Sequence, residues 1–236
     1  MQQLQGRVRK ACEMYGLIAD GDRVAVGVSG GKDSLALLVA LAEYRRYSKA
    51  RFELVALSLD PRFMNEDCDF SRVSALCDSL GIEHIIRRSD LYEVIFVTRK
   101  ESNPCALCAR MRRGALHDMC VENGCNKLAL GHHLNDVVET FYMNLFNEGR
   151  IAAFAPLTYL SRKNITAIRP LVLCEEREIV SAVERAALPV ITSRCPEDGV
   201  SQRETIKRFI AQKETEYPGF LHRTFTALQN AHVSGL

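Results

Sequence analysis

The stretch Val24-Ala-Val-Gly-Val-Ser-Gly-Gly-Lys-Asp-Ser34 restricts this chain to few folds, because an apolar run ends in a glycine turn and passes at once into a second apolar run, Leu35 to Tyr44. The β-branched density from Arg23 to Val28 predicts a buried parallel strand, and Leu35 to Tyr44 predicts the helix that follows it. Gly30 and Gly31 let the backbone approach an anion closely, and the N–H groups at the helix start face that anion. The loop fits neither GxxxxGK[ST], which needs glycine at Val26 and Ser or Thr at Asp33, nor the dinucleotide pattern GxGxxG. A glycine turn without a ligand is the structural alternative.

Apolar runs at Glu53 to Leu59, Glu83 to Ile86, Lys127 to Leu130 and Ile165 to Ile168 are short, bounded by polar or glycine residues, and separated by helix-length segments. Helices are expected at roughly Gln3 to Leu17, Ser34 to Arg46, Asp69 to Leu80, Cys108 to Asn123, Asp136 to Phe146, Glu176 to Ala187 and Ser201 to Gln212. The alternation predicts an α/β fold of Rossmann-like type, a parallel five-stranded sheet with helices on both faces. Ligands then sit at the carboxyl ends of the strands, where the chain leaves Val28, Leu59 and Leu130. A length of 236 residues suits one substantial core. The expected division is a nucleotide-binding domain over 1–190 and a helical segment over 191–236 packed on it.

The polar start from Met1 to Lys10, and the absence of any run of membrane-spanning length, give the expectation of a cytoplasmic protein without a membrane partner. Nine cysteines, an odd number, argue for reduced thiols, metal ligation or catalysis rather than a disulfide framework. A net charge of +2 is no argument for nucleic acid, but the basic residues cluster, notably at Arg110, Arg112 and Arg113 and at Arg203, Lys207 and Arg208. Such clusters are commonly solvated helix faces, and only the Arg110 group lies beside chemistry.

That chemistry is Asn103-Pro-Cys-Ala-Leu-Cys-Ala-Arg-Met-Arg-Arg-Gly114, a CxxC pair where a helix can begin. A helix dipole and three arginines should lower the pKa of Cys105 and Cys108. A redox pair, half a zinc site and part of an iron–sulfur site all remain open on this spacing. The third segment, Leu128-Ala-Leu-Gly-His-His-Leu-Asn-Asp136, is another strand running into a polar turn and a helix. It brings His132, Asn135 and Asp136 to the same sheet edge, with Asp136 the group suited to magnesium on phosphate oxygens. Cys12, Cys77, Cys120, Cys125 and Cys174 read as small hydrophobes. Cys68 reads as exposed.

The hexapeptide Ser29-Gly-Gly-Lys-Asp-Ser34 resembles the PP-loop of the ATP pyrophosphatases, and the three segments together are similar to the tRNA 2-thiocytidine biosynthesis family. Asp20-Gly-Asp-Arg-Val, Gly131-His-His, Asn144-Leu-Phe, Ile168-Arg-Pro-Leu171, Tyr217-Pro-Gly-Phe and Ala227-Leu-Gln-Asn230 extend the likeness along the chain. The resemblance implies the adenine nucleotide alpha hydrolase-like fold. It also implies replacement of the 2-oxygen of an anticodon-loop cytidine, at position 32, by sulfur after adenylation by ATP, with release of pyrophosphate and AMP. Ser29, Gly30, Gly31, Lys32, Asp33 and Ser34 would hold the phosphates, with Ser58, Asp60, Gly131 and His132 completing the ATP site and Asp136 at Mg2+. Cys105, Cys108 and Cys195 would hold a [4Fe–4S] cluster whose open iron binds hydrosulfide, a cysteine persulfide being the competing route. Arg110, Arg112 and Arg113 would meet tRNA or the activated intermediate, making Cys105, Cys108, Asp136 and Arg113 the catalytic set. A sulfur donor such as a cysteine desulfurase and a second copy of the chain are the implied partners. Two other readings stand beside it: a sulfurtransferase for another nucleoside or a small molecule, and a nucleotide-binding iron–sulfur or zinc sensor.

Overall fold

Parallel strands need crossovers, and this chain supplies them as helices. A computed structural model describes residues 1–100, 104–192, 194–195 and 202–236. In chain order the elements are α1 (Gln2–Tyr15), β1 (Arg23–Gly27), α2 (Lys32–Tyr47), β2 (Glu53–Asp60), α3 (Ser71–Ser79), β3 (Glu83–Arg88), α4 (Pro104–Glu122) and β4 (Lys127–Ala129). They continue as α5 (Leu134–Glu148), β5 (Leu157–Leu160), β6 (Ile165–Ile168), α6 (Glu176–Arg185), α7 (Gln202–Glu216) and α8 (Phe220–Asn230). The sheet runs β3-β2-β1-β4-β6-β5. The chain therefore reverses direction across the sheet between β1 and β4, which opens a crevice at their carboxyl ends.

Alternation along the strands divides the core into two layers. Val24 and Val26 of β1 and Leu54 and Ala56 of β2 face a layer built with α1, α2, α5 and α6. Ala25, Val55, Leu57 and Leu59 face a smaller layer against α4 and Leu91 and Ile95. Helix α2 is buried nearly all round, with Leu35, Leu37, Leu38 and Leu41 fully inaccessible. Burial on that scale contributes about 1.5–3 kcal/mol per leucine. Ile206 and Ile210 of α7 and Phe225 and Leu228 of α8 join the larger layer, so the C-terminal helices share the same core.

The five expected strands all form, and all are parallel. A sixth, β5, pairs antiparallel with β6 at the sheet edge, correcting the expected count of five. It is four residues long and half exposed, too weak an apolar run to stand out from its surroundings. A tight turn closes the hairpin, with Asn164 in the left-handed region at φ 51° and Lys163 N–H donating to Leu160 C=O. Helix α4 also begins earlier than expected, at Pro104, so both cysteines of the CxxC pair lie in its first turns.

A buried ion pair ties the start of the sheet together. Lys127 Nζ sits 2.7 Å from Asp22 and donates to the Leu17 C=O at 2.6 Å. Burial pushes the Asp22 carboxyl up, but the Ala19 N–H, Lys127 and Asn126 outweigh it and hold it below its ordinary value. Its contribution to stability is therefore complete above the unfolded pKa of about 4 and is lost as the pH falls through the lower folded value. Asp22→Ala should destabilise the protein by roughly 3 kcal/mol near neutral pH, because Lys127 is left buried and unpaired. Urea unfolding at pH 7 and pH 3 should show the gap between variant and parent narrowing at the lower pH.

Candidate functional site

The glycine loop is held open by its own hydroxyls. Ser34 Oγ donates to Gly31 C=O at 2.8 Å and accepts from the Ser29 N–H at 3.2 Å, while Ser29 Oγ accepts from the Gly31 N–H at 3.3 Å. Gly30 has φ +82°, and a Cβ there would lie 2.7 Å from the Ile191 side chain, so only glycine fits. Gly31 precedes α2 without a side-chain cap, leaving the first-turn N–H groups directed at the crevice. Those donors, with the positive end of α2, make an anion site.

The turn after β4 closes against this loop. A Cβ on Gly131 would stand 3.1–3.2 Å from the Asp33 carbonyl and the Ser34 nitrogen, so the two backbones meet with no room for a side chain. His133 then places its Nε2 3.7 Å from Asp33 and 3.4 Å from Asp136, while its own N–H donates to Asp136 at 2.9 Å. Burial raises the Asp136 carboxyl, but His133, whose N–H it accepts, and Arg203 outweigh that and keep it below its ordinary value. Lys32 bridges Asp33 at 2.9 Å and Glu176 at 2.8 Å. Asn135 turns away and accepts from the Glu176 N–H, fixing the start of α6.

Two cavities open from this loop. One, about 300 Å³, runs between Gly27, Ser29 and Ser34 on one side and Leu130, His132 and Asp136 on the other. The other, about 390 Å³, lies over the end of β2, with Asp60, Phe63, Glu66, Ile191 and Arg194 in its walls. They share Ser29, Leu59 and Arg112. His132 packs against Phe154 with ring centroids 5.1 Å apart, and its buried Nδ1 has no hydrogen-bond partner among the described residues. Burial drives its pKa down to about 4, so the ring is neutral. Arg169 stacks on the same Phe154 ring at 4.9 Å.

The CxxC helix reaches the site through Arg112, which is half-buried and hydrogen-bonds near Cys108. The Cys108 thiol is held above its ordinary value by burial first, then by nearby Cys195 and Cys105, with Arg112 acting in the opposite sense. This corrects the expectation of a lowered pKa, since desolvation outweighs the arginines. Cys105 and Cys195 are thus each near enough to Cys108 to act on its thiol. The Ile191 N–H donates to Gly30 C=O at 2.9 Å, so the segment leading to Cys195 is docked on the glycine loop. Ser193, Asn103 and residues 196–199 of these motifs lie outside the described residues.

Other expectations are placed as follows. Ser58 is fully buried, donating to Val28 C=O at 2.6 Å and pairing with His84 Nε2 at 2.7 Å, and lines neither cavity. Asp60 lines the larger cavity, its two oxygens accepting from the Arg62 and Cys68 N–H groups at 2.9 Å. Arg110 and Arg113 are exposed. Arg203 is no part of a solvated face: it donates to Asp136 at 2.8 Å and approaches Glu139, a carboxyl that burial and Asp136 push up to about 7. Arg203 and Glu176 were missed as site residues because their partners lie far away in the sequence. Cys12, Cys77, Cys120, Cys125 and Cys174 are buried, in keeping with packing roles.

A glycine loop at the switch point of a parallel sheet, with hydroxyls, a helix N-terminus and flanking carboxylates, defines a nucleotide-phosphate-binding α/β protein. The model of the PP-loop domain family matches residues 2–214. The tRNA-cytidine(32) 2-sulfurtransferase of Geobacter sulfurreducens is 38% identical over 232 residues, 97% of this chain and 90% of that protein. The one from Syntrophotalea carbinolica is 40% identical over 224 residues, 94% and 86% of the respective chains. Among solved structures, the U34-tRNA thiolase NcsA from Methanococcus maripaludis with its [4Fe-4S] cluster superposes with a TM-score of 0.79 at 27% identity, covering 98% of this chain and 78% of that one. This chain belongs to the PP-loop family and, within it, to the tRNA-cytidine(32) 2-sulfurtransferases.

Gly131→Ala should keep the fold yet weaken ATP binding roughly tenfold or more, because the added methyl pushes Asp33 and the first turn of α2 out of place. Calorimetric titration with ATP, alongside a thermal melt, separates the two effects.

Proposed function

We propose that this chain thiolates the 2-position of a tRNA cytidine using ATP, and that Arg112 marks the point where its substrates meet. The observation that carries the reading is the shared boundary: Arg112 lines both cavities beside the glycine loop and lies against Cys108.

In this reading ATP occupies the smaller cavity. Leu57, Leu59, Leu116 and Leu130 give it apolar walls suited to a base, and Ser29 and Ser34 with the N–H groups of α2 hold the phosphates. Lys32 supplies charge to the departing pyrophosphate. Asp33 and Asp136 fit Mg2+, which binds through one or two carboxylates plus substrate phosphates. At present their charge is balanced by Lys32 and Arg203. The cytidine 2-oxygen attacks the α-phosphorus, pyrophosphate leaves, and a sulfur nucleophile then displaces AMP at C2. Arg112 stabilises charge on the adenylate, while neutral His132 is available as a hydrogen-bond partner.

Cys105, Cys108 and Cys195 suit a [4Fe–4S] cluster. Among the described residues no three His, Cys, Asp or Glu side chains converge as ligands of a single metal ion. Cys108 nevertheless feels both Cys195 and Cys105, and [4Fe–4S] clusters are held by cysteine thiolates of this kind. When bound, the cluster supplies an iron position able to hold sulfur. Ligation at Cys108 must displace a proton that burial holds more tightly than usual, a cost offset because a metal-bound thiolate no longer carries desolvated charge alone. A sulfur donor such as a cysteine desulfurase, a homodimer and a cytoplasmic setting complete the proposal. Among the described residues no helix is long and apolar enough to cross a membrane.

Two measurements test this. Anaerobically purified protein should be brown with about four irons per chain, falling to near zero in Cys108→Ser; a colourless protein that takes up only zinc contradicts the cluster assignment. Nucleosides of tRNA from a deletion strain should lack 2-thiocytidine, and an unchanged level contradicts the acceptor.

A further inference from the structure

With ATP assigned to the smaller cavity, the larger one is left for another ligand. Its floor is the end of β2, where buried Asp60 is fixed by the backbone N–H groups of Arg62 and Cys68. The segment it organises carries left-handed backbone at Arg62, Met64 and Asn65, with φ of 50°, 57° and 62°. Such conformations are strained for residues other than glycine and cluster at ligand clamps. Between them Phe63 is held as a half-buried wall of the cavity, edge-on to Tyr92 with ring centroids 6.4 Å apart. At the shared boundary stand Ser29 and Arg112.

From this geometry we propose that the larger cavity is the acceptor-base site and that it reads a 4-aminopyrimidine, with Asp60 accepting from the exocyclic amino group. The assignment rests on the tRNA thiolation reading above. A base that must be taken out of its stack is held in a snug pocket by an aromatic or apolar wall and by hydrogen bonds to its edge. In cytosine the reacting 2-oxygen and the 4-amino group lie on opposite ends of one edge. Placing the 2-oxygen at Arg112 and Ser29, beside the ATP cavity, sends the 4-amino group toward the Asp60 end. A carboxylate is the natural acceptor for that amino group. Each Asp60 oxygen accepts one backbone N–H in the structure and retains a second lone pair. Uracil would present a carbonyl oxygen to the same carboxylate and be repelled. At the rim Glu66 pairs with Arg194, and Asp67 with Arg62 and Arg88, so those charges are largely balanced and the cavity suits an uncharged base.

The test is thiolation by cluster-loaded protein, with ATP and sulfide, of one tRNA carrying at the target position either cytidine, uridine or the 4-deamino analogue, which keeps the 2-oxygen and N3 but lacks the amino group. The expected result is a kcat/KM for the analogue roughly 10- to 100-fold below cytidine, and no product from uridine. Equal rates for cytidine and the analogue overturn the proposal. Failure of cytidine itself to react counts against thiolation of this base altogether and is thereby distinguishable. Asp60→Asn, checked for a parental melting curve, should reduce the rate with cytidine and bring the ratio of cytidine to analogue toward one. An equal loss with both bases makes Asp60 only a support of its loop and overturns its assigned role. Phe63→Ala should raise KM for all tRNAs without altering that ratio; a change in the ratio instead overturns the stacking assignment.

Discussion

Everything at this sheet edge depends on how closely the turn after β4 approaches the first turn of α2. The Gly131 backbone lies so close to Asp33 and Ser34 that a Cβ there would stand 3.1–3.2 Å from their backbone atoms, tighter than an ordinary contact. That approach brings His132, His133 and Asp136 alongside the glycine loop. The parallel pairing of β1 with β4 makes it possible, since both strands then deliver their following turns to the same edge. The second close approach, Ile191 over Gly30, does the same for the segment that ends in Cys195. Two glycines with different neighbours thus bring two distant parts of the chain to one loop.

Burial then decides how the charged groups behave there. Desolvation keeps His132 neutral, lifts Cys108 and lifts Glu139, while paired charges hold Asp136 and Glu176 ionised. The acidic groups on α5 and α6 are balanced by Lys32 from the loop and by Arg203 and Lys207 from α7. This network couples the phosphate end of the site to the helix that follows the Cys195 segment.

The fold was legible because buried parallel strands are continuous apolar runs, and five of them stand between helix-length segments. Strand β5 was not, since half its residues face water and its pairing depends on a hairpin turn at Asn164. In the site, Ser29 to Ser34 and the Cys105–Cys108 pair could be read because their chemistry is local to one turn. Ser58, expected at the ATP site, lies elsewhere because alternation along β2 sends Leu57 and Leu59 toward the cavities and Ser58 to the opposite face, against His84. Arg203 and Glu176 carry no local pattern at all. Their roles come from contacts with Asp136 and Lys32, which only the packing of α6 and α7 creates. The Cys108 thiol shows the same limit: three nearby arginines were visible in the sequence, but the burial that outweighs them was not.

The central claim is that the glycine loop activates the same oxygen that sulfur replaces. It is tested most directly by single turnover of tRNA labelled with oxygen-18 at the 2-oxygen of the target cytidine. If that oxygen attacks the α-phosphorus and leaves with it, the AMP produced carries one labelled oxygen for each 2-thiocytidine formed. Unlabelled AMP accompanying 2-thiocytidine would mean that ATP is spent on some other group, and the account of the site given by Ser29 to Ser34, Arg112 and Cys108 would be wrong.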